Sequence, residues 1–260
     1  MFEIIAILIA MLGSTIAGIW DLFTTEVPDE ILALMLPSGI FLWYFHALST
    51  GNFIPLFYSL FLGGIILILG LVLYKKGHWG GADAWLLAAI AFLLPFYNKE
   101  IFMYPFIFNF LIIGTVYMIM YAIILGFLNR FVFSYFIDDI RNNWKLVLAP
   151  VAILGFFFLL TYPYANSYLI LILLVSLILF WRYALVIEKR VFKKRIHSSE
   201  LKQGDVLEEM VWRGLTGEEV SEIRKKREFV VVKEGVRFIP VFPISLFVTI
   251  FYGNLIFLFV

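Results

Sequence analysis

The 260-residue chain carries 63% apolar and only 15% charged side chains, with a mean hydropathy of +0.97. Soluble domains run at about 45–50% and about 25%, so a soluble enzyme, a disordered chain and a nucleic-acid module are excluded as classes. The net charge of +1 offers a polyanion no attraction, and the absence of cysteine excludes disulfides, thiolate zinc sites and cysteine nucleophiles.

An all-α polytopic membrane protein is therefore expected. A membrane helix needs about 20 mainly apolar residues, and the chain offers eight such stretches: 4–20, 31–48, 53–74, 84–96, 101–128, 146–162, 167–187 and 239–259. The first lacks the basic start and small-residue cleavage site of a secretory signal, and reads as a span. The fourth is short, and Gly77, Gly80 and Gly81 precede it. Such a break is tolerated at membrane depth only where protein or a wet cavity surrounds it.

With the N-terminus outside, the loops 21–30, 75–83, 129–145 and 188–238 lie inside. Nearly all Lys and Arg residues then fall on the inner side, Lys99 being the exception. Arg182, near the inner end of the seventh span, is expected to snorkel there. The pair Asp138-Asp139 with Arg141 reads as a solvated, mutually paired loop.

Three segments follow: a transmembrane helical domain at 1–187, a small cytoplasmic α+β subdomain at 188–238, and a closing transmembrane helix at 239–260. The subdomain is small for an independent core and is expected to pack on the membrane part. Its basic start, Lys189 to Arg195, suits anionic lipid. Thr216 and Glu219 have capping-box spacing and predict a helix through about Arg227. A strand is predicted at 229–233, then a turn at Glu234-Gly235 and a second strand at 236–239.

Outside this subdomain lie nine acidic residues, and two of them, Asp21 and Asp83, sit at membrane-helix ends on the same inner side. Taken alone, Asp83 reads as a helix cap and Asp21 as a solvated residue beyond a span. As a pair they allow one specific chemistry. Two carboxyls sharing a site hold one proton between them. The ionised member takes a proton from water, and the protonated member polarises a carbonyl. Glycines beside Asp83 leave room for an extended substrate backbone. His46 and His78 have no partners at metal-ligand spacing, so no metal is expected.

Asp21 followed by Val27-Pro28-Asp29, and the turn Gly80-Gly81-Ala82-Asp83, resemble the two catalytic motifs of the type IV prepilin peptidases. These are membrane aspartyl proteases marked by G-x-G-D. The tail around Leu201 to Leu207, Gly214 to Thr216 and Val231 to Pro240 is similar to the archaeal branch, which includes the preflagellin peptidases. The resemblance places Asp21 and Asp83 on the catalytic aspartates and Gly80 and Ala82 on the two glycines. Ala82 replaces the second glycine, and Trp85 stands where many relatives carry Lys.

The resemblance implies an aspartic-type endopeptidase of the cell membrane with no cofactor and no nucleic-acid partner. Its substrates are pilin-like or archaellin precursors, cut at the cytoplasmic face between a basic leader and an apolar helix. Gly80, Gly81 and Ala82 then form a substrate loop, and Glu26 and Asp29 are placed to meet the leader. Without the four-cysteine domain of large bacterial relatives, proteolysis alone is expected, with no methylation. A proton- or cation-coupled transporter with an intramembrane carboxylate is the alternative.

Overall fold

A computed structural model describes residues 1–77, 79–129, 131–161, 167–209, 214–233 and 235–258. The chain divides into two compact units. The first holds residues 1–118, 209–215 and 235–260, and the second holds 119–208 and 216–234.

In the first unit, α1 (Phe2–Thr24) turns a seam of small residues inward: Ala6, Ala10, Ser14, Ala17 and Gly18. The seam ends on Asp21. Steps of three and four keep these positions on one helix face, while Ile4, Leu8, Leu12, Ile16 and Ile19 point outward. Small side chains suit a membrane helix interface, because association there depends on close packing and not on exclusion from water.

Two long helices, α2 (Asp29–Thr50) and α3 (Ile54–Lys75), enclose the short α4 (Gly81–Leu93). All residues of α4 from Leu86 to Leu93 are buried. Close approach is made possible by glycines on its neighbours. A Cβ at Gly39 would lie 2.7 Å from the Phe92 carbonyl carbon, and one at Gly70 would lie 2.8 Å from Ala84 Cβ.

The C-terminal carbonyls of a helix lack intrahelical partners. Here Trp43 Nε1 donates to the Leu93 carbonyl at 2.9 Å, and Ser59 Oγ donates to the Phe92 carbonyl at 2.6 Å. Beyond α4, a hairpin pairs β1 (Phe96–Tyr97) with β2 (Glu100–Ile101) across Asn98 and Lys99, both at positive φ.

The unit is completed by the first part of α5 (Met103–Leu128) and by α10 (Val241–Tyr252). α10 stops where Gly253 takes a φ of 74°. The freed backbone is held by Asn109 of α5, which donates to Thr249 Oγ1 and the Gly253 carbonyl and accepts from the Leu255 N–H. The span expected at 239–259 is thus a helix of 12 residues and a short 3₁₀ turn.

Among the described residues four helices, α1, α2, α3 and α5, are long and apolar enough to cross a membrane. Three shorter apolar helices are Gly81–Leu93, Trp144–Phe156 and Val241–Tyr252. The chain is a helical membrane protein, but eight full-length spans are not found among the described residues.

The second unit holds α6 (Val132–Asn142), α7 (Trp144–Thr161) and α8 (Ser167–Arg190). The stretch expected as a loop is thus the helix α6, with Val132 packed against Val186 and Ile187. Asp139 pairs with Arg182 and not with Arg141: Arg182 Nε donates to Asp139 Oδ2 at 2.9 Å. Arg182 is buried by this pairing instead of snorkelling.

A three-stranded antiparallel sheet follows, in the order β3 (Lys193–His197), β5 (Phe229–Lys233), β4 (Val206–Leu207). α9 (Gly217–Lys226) starts with the expected capping box between Thr216 and Glu219, and β5 has the expected bounds. Both partners of β5 lie upstream: β3 overlaps the basic stretch first read for its charge, and β4 lies beyond it. Residues 235–238 form no strand, and the predicted turn at Glu234 falls outside the described residues.

Candidate active site

The seam of α1 carries Asp21 to the helix end on the packed face, where the residue is 4% exposed. α1 ends four residues later at Thr25, which takes a left-handed φ of 62° and donates its N–H to the Asp21 carbonyl at 2.9 Å. That conformation is rare for a β-branched residue. It turns the chain sharply into 26–28 immediately beside the carboxyl.

Asp83 is the third residue of α4, so its side chain reaches back to the helix start, where backbone N–H groups are free. The carboxyl folds over Gly80 so closely that a Cβ there would lie 2.6 Å from Oδ2. A side chain at Gly80 would therefore displace the carboxylate. Ala82 is an ordinary residue of α4, so the departure from G-x-G-D needs no unusual backbone angle.

Both carboxyls open onto one cavity of about 490 Å³. Its wall includes Thr25, Glu26, Val27, Trp79, Gly80, Gly81, Ala82, Met118 and, from the segment before α10, Gly235, Val236, Phe238 and Ile239. The two carboxyls are within electrostatic reach of each other. Four of the expected site positions, Gly80, Gly81, Ala82 and Glu26, therefore meet the pair. Asp29 stands apart, exposed in the first turn of α2 and absent from the cavity wall.

Sequence reasoning read the segment 235–239 as a turn and a strand and missed its place at the site. Its Ile239 N–H donates to Asp21 Oδ2 at 3.1 Å. Phe238 packs on Phe110 and Tyr117, and Tyr117 Oη donates to the Arg237 carbonyl at 2.6 Å. Gly18 was the legible hint: a seam glycine implies a close neighbour, and Pro240 Cα would lie 3.2 Å from a Cβ at Gly18.

His46 stacks edge-on against Phe2 and Trp43 at the other end of α1, and His78 lies outside the described residues. No group of three or more His, Asp or Glu side chains is arranged for a metal among the described residues.

The chain is thus a helical membrane protein with two carboxyls facing one cavity. Residues 7–128, which carry both aspartates, match the model of the type IV leader peptidase family. It is also similar to the preflagellin peptidase of Methanococcus voltae, with 33% identity over 98 residues. That match covers 38% of this chain and 42% of the relative, so the chain aligns with less than half of the relative's length. The likeness expected in the tail lies outside the family match. No solved structure matches the chain.

Proposed function

We propose that the chain is an aspartic-type leader peptidase, with Asp21 and Asp83 as its catalytic pair. Its substrates are pilin-like or archaellin precursors, cut between the basic leader and the apolar helix. The observation that carries this reading is that the two carboxyls, from different helices, open onto the same cavity. The match of residues 7–128 to the leader peptidase family supports it.

The pair works with one proton between its members. The ionised carboxylate removes a proton from a water, and the resulting hydroxide adds to the scissile carbonyl carbon. The protonated carboxyl donates its hydrogen bond to the carbonyl oxygen, stabilising the negative charge that develops there. Collapse of the tetrahedral species breaks the C–N bond, and the proton taken from water goes to the leaving amine. The apolar wall formed by Trp79, Val27 and Met118 keeps bulk water out and strengthens these interactions.

Gly80 and Gly81 present no side chain to an extended peptide, and exposed Glu26 at the rim is placed to attract a basic leader. The concentration of Lys and Arg on one side supports an orientation with this end in the cytoplasm. Asp29 takes a lesser part, since it does not line the cavity.

The test is cleavage of a tagged precursor in membranes containing Asp21→Asn or Asp83→Asn, with the new N-terminus sequenced. Loss of cleavage in both, with normal accumulation, is expected. Wild-type processing by either variant removes the pair from the reaction.

A further inference from the structure

The strap of residues 235–239, between β5 and α10, has the makeup of a strand but belongs to no sheet. Val236 and Phe238 line the cavity of the two carboxyls, and Arg237 between them does not. That alternation is the one a strand shows.

The strap is anchored at its far half. Tyr117 Oη donates to the Arg237 carbonyl at 2.6 Å, Phe238 packs on Phe110, and the Ile239 N–H donates to Asp21 Oδ2 at 3.1 Å. Among the described residues, the Val236 N–H and carbonyl and the Phe238 N–H take part in no hydrogen bond. Both residues are half-buried. Backbone groups away from water are nearly always paired, and an unpaired strand edge is a template for another chain.

A peptide cut in this cavity has the complementary need. Its scissile carbonyl must leave any helix to meet the carboxyls. The backbone groups freed beside it then lie against apolar walls formed by Val27, Trp79, Met118 and Ile239, where unpaired polar groups are unfavourable.

Resting on the proposed catalytic pair, we propose that the strap is the docking edge for the precursor. The segment around the cut adds as a strand beside residues 236–238 and exchanges main-chain hydrogen bonds with Val236 and Phe238. Val236 precedes Ile239 by three residues, about 10 Å of extended chain, so a segment paired there runs beside Asp21. Main-chain pairing makes no demand on side chains, so one edge serves precursors that differ in sequence around the cut.

The experiment uses precursor peptides in which one backbone amide at a time, other than the scissile one, is replaced by an ester. This removes an N–H donor without adding bulk. With the wild-type chain in membranes, esters at alternate residues flanking the cut should each raise KM about five- to tenfold, with kcat nearly unchanged and the residues between them tolerant. Equal tolerance at every position, or equal loss at successive positions, overturns the proposal.

Val236→Pro removes the strap's own donor. It should raise KM for the all-amide peptide by a similar factor, and the ester series should then lose one of its sensitive positions. An ester series unchanged in Val236→Pro overturns the pairing. Should that variant fail to accumulate, the ester series on the wild-type chain decides alone. Binding of the same peptides to Asp83→Asn separates the two levels. If Asp83→Asn still cleaves, the catalytic pair falls, and an alternating loss of binding keeps the strap. If it is inactive and its binding series is flat, the strap alone falls.

Discussion

Two carboxylates in this chain, one half-buried and one buried, show opposite solutions to the same problem. Asp139 in the second unit is met by Arg182, which offers Nε and Nη2 to a single oxygen, and Asn143 adds a third donor. Asp21 in the first unit is 4% exposed yet has no salt bridge among the described residues, only one backbone N–H. It faces a second carboxyl across a cavity. A carboxylate that is fully answered by a cation serves packing. One left short of partners beside another acid is free to exchange a proton, and such sites are candidates for chemistry.

The sharpest way to break this comparison is to remove a charge from each region. Asp21→Asn and Asp83→Asn should each lower cleavage by about a thousandfold, with little change in the amount of folded protein. A processing assay normalised to membrane protein measures this.

Gly80→Ala should come next. Its Cβ would meet Asp83 Oδ2, and displacing a reacting group by a fraction of an ångström lowers the rate by about ten- to a hundredfold. Thermal stability should barely move, because the flexible carboxylate and not the helix gives way.

Asp139→Ala should do the reverse. Leaving Arg182 buried without its partner should cost about 2 kcal/mol, at the lower end for a broken pair because Asp139 keeps 19% side-chain exposure. The unfolding midpoint in detergent should fall while cleavage per folded molecule stays near wild type. Adding Arg182→Met should recover much of the loss.

Thr25→Gly should have the smallest effect. It relieves a left-handed β-branched residue and should raise stability by up to about 1 kcal/mol. The more mobile turn should lower cleavage about twofold, so stability and activity move in opposite directions.

The parts of this molecule legible from sequence are those specified locally. The Thr216–Glu219 capping box and the alternation in Phe229–Lys233 need only neighbours along the chain. Asp21 and Asp83 stood out because acids are scarce in so apolar a sequence. One stronger signal was present: Ala6, Ala10, Ser14 and Ala17 step regularly to Asp21, which puts the acid on the packed face.

What could not be read depends on distant partners. The strap at 235–239 has the composition of a strand, but its backbone is claimed by Tyr117 and Asp21, more than a hundred residues away. The stretch from Lys189 to Arg195 reads as a lipid-binding cluster, and its charge masked the pairing of Lys193–His197 with β5. The early end of α10 is set by Asn109, which replaces the helical bonds lost at Gly253. Asp139 was read with the nearby Arg141 because nothing local points to Arg182.

The carbonyls that end α4 carry a consequence for biosynthesis. At 13 residues the helix is only about 20 Å long, and its last peptide groups are satisfied by side chains of α2 and α3. An isolated α4 leaving the translocon would expose those groups to lipid, which is strongly unfavourable. α4 must therefore enter the bilayer as a passenger of the hairpin made before it. Trp43 and Ser59, synthesised first, are the residues that wait to receive it.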